Sequence, residues 1–257
     1  MNTLNGNAVR TLMSTVDNIT TALDNNNDSW RDHLYAVRNV TGVLDFSEAS
    51  PDEDRRGWQL PLINVFQRVA FADADSGGVL DIANWCLKQA VTLLQVHSND
   101  VDLLILVGRN WLLRAQKSLA NIHHSEQSSI SSGGSPSFHL SSSEENRRMM
   151  RGNAEAESRL HTADYVEARG ILLPAVEYLK RAVELAGTQE KVTGDLLSLA
   201  AEAYMSLGNV SSSRMNSQYF RQALDFLRVA HEMPDYILPI HLQNYLEDYG
   251  NLIEGHD

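Results

Sequence analysis

Apolar positions recur at spacings of three and four along most of the chain, as expected when one face of each helix is buried. Val9, Leu12, Val16, Ile19 and Leu23 form the first stripe, over residues 7–24. The polar run from Asp24 to Asp28 ends it, and Ser29 is the expected N-cap of a second helix whose inward face carries Leu34, Val37, Val40 and Leu44. After a charged connection at 45–56, Leu62, Val65, Phe66 and Val69 mark a helix from Trp58 to Ala72 with Pro61 in its first turn. Two further helices are expected at 79–97 and 101–121, joined by the tight turn His97-Ser98-Asn99-Asp100. The period resumes at 154–170, restarts after Pro174 to Ala186, and returns at 194–207, 218–233 and 238–253. No useful stretch alternates with the period of two that a strand needs, so the expected fold class is all-α.

Residues 123–152 break the pattern. Ser dominates there, with Gly, Pro and charge, and too few apolar groups are present to offset the entropy of ordering. The expected organisation is N-terminal helical hairpins over 1–122, a disordered Ser-rich loop over 123–152, and further helical hairpins with a closing helix over 153–257. The two helical parts are expected to form one continuous domain. A shorter Ser-rich interruption lies at 210–217.

Small residues recur on the helix stripes. Ala175, Leu179 and Ala182 stand at positions i, i+4 and i+7, and Ala223, Leu227 and Ala230 repeat that spacing before Pro234. Leu197, Ala200, Ala201 and Tyr204 stand at i, i+3, i+4 and i+7, as do Leu104, Val107, Gly108 and Trp111. Small residues on one stripe let two helices approach closely while the larger residue fills the groove. In these positions the chain resembles the tetratricopeptide repeat proteins, with the best match over 154–234. The resemblance implies antiparallel hairpins stacked as a solenoid, with a concave groove that receives a peptide or a helix. The basic clamp such grooves use for acidic C-terminal peptides has no counterpart within 195–207, where Asp195 and Glu202 occur instead.

Charge narrows the choice of partner. The chain has 21 basic and 33 acidic side chains, a net −12 that opposes approach to a phosphate backbone or an anionic lipid surface. Nucleic acid and membrane are therefore not the expected partners. A single cysteine, Cys86, excludes an intrachain disulfide and a multi-thiolate zinc site. The N-terminus has no basic cluster followed by an apolar run, so an intracellular protein of cytoplasm or nucleus is expected, not a secreted one.

One segment has metal-ligand spacing. Asp73, Asp75, Gly78, Leu80 and Asp81 fall at positions 1, 3, 6, 8 and 9 of an EF-hand-like loop over 73–84. Gly77 occupies a ligand position, however, and Asn84 stands where a bidentate carboxylate belongs, so Asp73, Asp75 and Asp81 are weak calcium candidates beside a plain interhelical turn. His123, His124, Glu126 and His139 lie in the Ser-rich segment, where no preformed metal geometry is expected. Neither Gly77-Gly78 nor Gly133-Gly134 has the Lys or the strand-to-helix context of a phosphate loop.

The expected function is a non-enzymatic scaffold or adaptor. It would bind a partner peptide or helix in a groove formed by helices 101–121, 154–170 and 194–207, through Arg109, Asn110, Arg114, Tyr165, Arg169, Glu202 and Tyr204. No cofactor and no catalytic residue is expected, and the chain could equally be a subunit of a larger complex or a homodimer. Two alternatives are a calcium-responsive module using 73–84 and an enzyme whose site is assembled from distant helices.

Overall fold

The computed structural model describes residues 6–46, 53–131, 150, 152, 154, 155 and 157–250. Among them the regular structure is all-helical, with no strand. The chain divides into two compact units, one of residues 1–114 with 177–191 and the other of residues 115–176 with 192–257. No helix among the described residues is long and apolar enough to cross a membrane.

The first unit begins with α1 (Gly6–Asn25), a 3-10 turn (Asn27–Ser29) and α2 (Trp30–Phe46). The turn is capped by Asn26, whose side chain accepts from the Asp28 amide at 3.0 Å, and Ser29, the expected cap of α2, has no hydrogen-bond partner for its Oγ among the described residues. The Asx geometry at Asn26 lets the chain reverse without leaving the Asp28 amide unpaired. Then come α3 (Glu53–Ala70), α4 (Leu80–Val96) and the start of α5 (Val101–Ser131). Helix α3 packs against α1, α2 and α4. The core holds Val16, Ile19 and Leu23 of α1, Val37 and Leu44 of α2, and Leu62, Phe66 and Val69 of α3. Phe66 meets Trp85 of α4 with ring centroids 5.8 Å apart. At the surface, Arg38 pairs with Asp81 at 2.7 Å and Arg68 with Asp24 at 2.6 Å, tying α2 to α4 and α3 to α1. Such exposed pairs contribute little to stability, and the apolar stripes hold the unit together.

Two prolines lie further inside helices than the sequence suggests, which places Pro61 in a first turn and a break before Pro174. Helix α3 starts at Glu53, so Pro61 is interior, and α6 (Ala163–Thr188) runs unbroken through Pro174. Proline removes the amide that the carbonyl four residues earlier would accept from. Those positions are Gly57 and Gly170, both exposed and with open space where a side chain would be, so water can take the freed carbonyl.

The second unit takes the rest of α5 and most of α6, then α7 (Gly194–Asn209), α8 (Ser213–His231) and α9 (Ile240–Tyr249). Helix α7 starts cleanly, with Thr193 Oγ1 accepting from the Leu196 amide at 3.3 Å. Helices α7 and α8 form the principal pair of this unit, and Ala200, Ala201, Ala203, Ala223 and Ala230 are buried. The Ser-rich interruption expected at 210–217 shrinks to three residues, because α8 already begins at Ser213. Helix α5 extends to Ser131, beyond the expected end at 121. Ile122 is buried there, Ser125 Oγ donates to the Ile122 carbonyl at 2.8 Å, and Glu126 accepts from Tyr165 at 2.5 Å. The first part of the expected disordered loop is therefore helix, and residues 132–149 lie outside the described residues.

Close approach is built into both units. A β-carbon on Gly108 would stand 2.6 Å from Leu179 Cγ, and Leu179 is fully buried. Gly194 lies under the Tyr236 ring and Gly208 under the Phe220 ring, each closer than any side chain would allow. Helix propensity alone would favour alanine at position 108 by about 1 kcal/mol. We expect Gly108→Ala to lower stability instead, by about 1–3 kcal/mol, read as a lower urea midpoint. Glu190 ends α6 with φ 55°, the left-handed conformation of a helix C-cap, and Lys191 N donates to the Ala186 carbonyl at 2.9 Å. Glu190→Gly keeps that turn and removes a β-carbon penalty of about 1–2 kcal/mol, so the same measurement should show a gain.

Candidate functional site

Arg109, Asn110 and Arg114 all lie on α5 in the first unit, and they are linked by inward-facing polar contacts. Asn110 is wholly buried and donates to the Ala83 carbonyl of α4 at 3.2 Å. Arg114 Nε donates to Asn110 Oδ1 at 2.7 Å, while its buried Nη2 has no acceptor. Its guanidinium carbon lies 5.7 Å from the centre of the Trp111 ring. Arg109 donates through Nη2 to Asn64 Oδ1 of α3. In the amide orientation that satisfies both its polar atoms, the buried Gln67 accepts from Arg109 Nε at 3.0 Å and donates to the Leu106 carbonyl at 3.3 Å. Burial lowers the pKa of both arginines, and Arg68 adds to the effect on Arg109. Cys86, buried on α4, is pushed the other way, because burial disfavours the thiolate more than Arg109 and Arg114 favour it. That leaves an inert thiol rather than a nucleophile.

A cleft of about 370 Å³ opens beside Arg109. Leu60, Pro61 and Asn64 of α3 face Asp102, Ile105 and Leu106 of α5 across it. Its far end is fixed by Arg56, which pairs with Asp100 and donates to Asp102 at 3.0 Å. Asp100 also accepts from the Leu103 amide at 3.1 Å, capping α5. Burial works to raise the Asp100 pKa, but Arg56 and the Leu103 amide outweigh it and hold the carboxyl below the usual carboxylate range.

The other four residues lie in the second unit. Tyr165 is buried, and its hydroxyl donates to Glu126, which Arg159 also approaches at 3.8 Å. Burial and then Glu126 push its phenol up to about 12. Arg169 donates to the Leu160 carbonyl at 2.6 Å and the Val210 carbonyl at 2.7 Å, fastening the turns before α6 and after α7. Glu202 meets His241 of α9 at 3.1 Å. Tyr204 is buried between Tyr219, at 6.2 Å, and Phe226, edge-on at 5.6 Å. Asn110, Tyr165 and Tyr204, which the helical spacing offers as partner contacts, thus spend their polar or aromatic groups inside their own units.

What the sequence pattern does not reveal is a second, apolar cleft of about 240 Å³. Leu160, Leu173, Leu207, Met215 and Tyr219 supply most of its wall, and Glu157, His161, Arg169, Ser211 and Ser212 complete the lining. Leu173 is 52% exposed and Met215 45% exposed. Tyr219 connects it to Tyr204, so the buried Tyr204 reaches this cleft through a neighbour. The available signal was Met215, standing among serines where the sequence suggests an interruption.

At the EF-hand-like segment, residues 71–77 form turns and α4 begins at Leu80. Gly77 and Gly78 have φ of 102° and 64°, and Val79 N donates back to the Ala70 carbonyl at 2.7 Å. A β-carbon on Gly78 would stand 2.5 Å from that carbonyl oxygen, so the glycine is needed for the turn itself. Asp81 is held by Arg38 through both carboxylate oxygens, at 2.7 and 3.2 Å. Among the described residues no three His, Cys, Asp or Glu side chains gather as a metal ion requires.

Compared with protein-family models, curated proteins and solved structures, the chain matches none.

The Asp100 pairing carries a pH signature. Its folded pKa lies below the unfolded value of about 3.9, so its stabilisation is full above that value and fades as pH falls through the folded pKa. At neutral pH Asp100→Ala should cost about 0.5–2 kcal/mol, as for a lost helix cap. Urea unfolding at a series of pH values should show the gap between variant and parent narrowing below about pH 4.

Proposed function

We propose that the protein is a non-enzymatic interaction scaffold of tetratricopeptide-like helical hairpins, and that its second unit receives an apolar anchor from a partner peptide or helix. The observation that carries this is the exposure of Leu173 and Met215 at the mouth of the apolar cleft. Large apolar side chains held around a concavity gain free energy when a partner covers them. The α7–α8 pair supplies a stiff wall, because its alanine seam and the Gly208–Phe220 contact leave no slack between the helices. Arg169 supports the same reading as a positioning residue, since both of its carbonyl contacts fix backbone beside the cleft. A partner side chain such as Leu, Phe or Met entering between Leu173 and Met215 fits this chemistry.

Both anchor residues are exposed, so polar substitutions there leave the fold intact. The full-length chain carrying a photo-crosslinking amino acid in place of Leu173 should capture a specific partner segment. Leu173→Glu combined with Met215→Glu should weaken binding of that segment at least about tenfold, in keeping with central apolar anchors, with unchanged circular dichroism and urea midpoint. Equal binding by the double variant would overturn the reading, and so would crosslinking that yields no specific segment.

A further inference from the structure

We infer that the α3–α5 cleft of the first unit binds a small molecule bearing one carboxylate on an apolar body, with Arg109 as the cationic partner. This is a different surface and a different ligand class from the anchor site on the second unit. The starting point is a cation without a counter-charge. Among the described residues Arg109 touches only neutral side-chain acceptors, Asn64 and Gln67, and no carboxylate there pairs with it. Arg56 has Asp100 and Asp102, Arg68 has Asp24, and Arg38 has Asp81, while Arg114, which also meets no carboxylate among the described residues, is spent on Asn110 and the Trp111 ring and does not line the cleft. In a chain with 33 acidic side chains against 21 basic ones, leaving this guanidinium unpaired is not for lack of carboxylates.

The two amides orient Arg109 while leaving its charge uncompensated. Gln67 takes Nε and Asn64 takes Nη2, which leaves Nη1 without an acceptor among the described residues. A planar guanidinium held on one edge presents its remaining donors in a fixed direction, the arrangement that suits a carboxylate. Because the half-buried group is partly desolvated and faces the repulsion of Arg68, an arriving anion is attracted more strongly than at an open surface.

The rest of the cleft chooses the ligand. Leu60, Pro61, Ile105 and Leu106 offer apolar wall, so the anion must arrive on an apolar body. Asp102 also lines the cleft and disfavours a doubly charged phosphate, whereas its bond to Arg56 tempers its repulsion of a single carboxylate. The lining runs only from Leu60 to Asn64 on α3 and from Asp102 to Arg109 on α5, which is about 10 Å along a helix. At about 370 Å³ the cleft lies in the range of small-ligand pockets and is too short for an extended peptide.

The test is calorimetric titration of the full chain with hexanoate, hexanol and hexylammonium. Hexanoate should bind at one site per chain, and the neutral and cationic analogues should not. Arg109→Gln removes the charge, and its Kd should rise about tenfold or more. Asn64→Asp keeps the guanidinium and gives it an internal counter-charge. This variant should fold at least as stably as the parent and lose hexanoate binding to the same degree, so the test does not depend on whether Arg109→Gln folds. No hexanoate binding by the parent overturns the proposal, as does hexanol binding equally well or undiminished binding by Asn64→Asp.

Discussion

The structure depends on helices meeting their neighbours, another helix or the segment between two, more closely than side chains ordinarily permit. Gly108 against Leu179, Gly194 under Tyr236 and Gly208 under Phe220 are contacts in which the missing β-carbon is the space that the neighbour occupies. Dispersion falls steeply with distance, so a gap of a fraction of an ångström at such seams would forfeit much of the attraction that the apolar stripes supply. The alanines of α7 and α8 extend the same economy of volume along the second unit. Packed surfaces of this kind cannot deform gradually, and features carried on them keep fixed positions.

Several buried polar groups are then satisfied across the helices, although others, Arg114 Nη2 and Trp85 Nε1 among them, are left without a partner among the described residues. In the first unit, Gln67 and Asn110 bridge α3, α4 and α5 through main-chain carbonyls, and the arginines are held at the edge of that network. In the second, Arg169 and Tyr236 do comparable work, the latter donating to Ser198 at 2.9 Å. A buried amide without partners is costly, so these bonds specify one arrangement of helices as much as they stabilise it. The two clefts lie beside these rigid networks. One combines apolar walls with Arg109 and Asp102, and the other sets an apolar wall beside Glu157, His161 and an arginine turned to the backbone.

Much of the fold was legible because its stripes obey one rule. Val16, Ile19, Leu23, Val37 and Leu44 are buried as the period of 3.6 requires, and the turn at 97–100 separates α4 from α5 where the polar run stands. The errors arise where a residue's usual meaning is overridden by its neighbour four positions away. Pro61 and Pro174 read as helix boundaries, yet Gly57 and Gly170 make them tolerable inside. Serines read as loop, yet Ile122 and the Glu126–Tyr165 bond carry α5 onward to Ser131. Site residues were harder still. Periodicity indicates which face a residue occupies, but it cannot say whether Tyr204 ends in a groove or beneath Tyr219 and Phe226. The unpaired state of Arg109 was invisible for the same reason, since it depends on which of many acids come within reach.

Cys86 has one more consequence. It is the sole sulfhydryl of the chain, sealed within the first unit on α4. A bulky alkylating reagent can reach it only in molecules whose first unit has opened, so the modification rate equals the opening equilibrium multiplied by the rate of an unprotected thiol. The second unit has no sulfhydryl and contributes nothing to that signal. The chain thus carries its own clock for the breathing of one half, and the stability of that half can be followed in the intact protein without any introduced label.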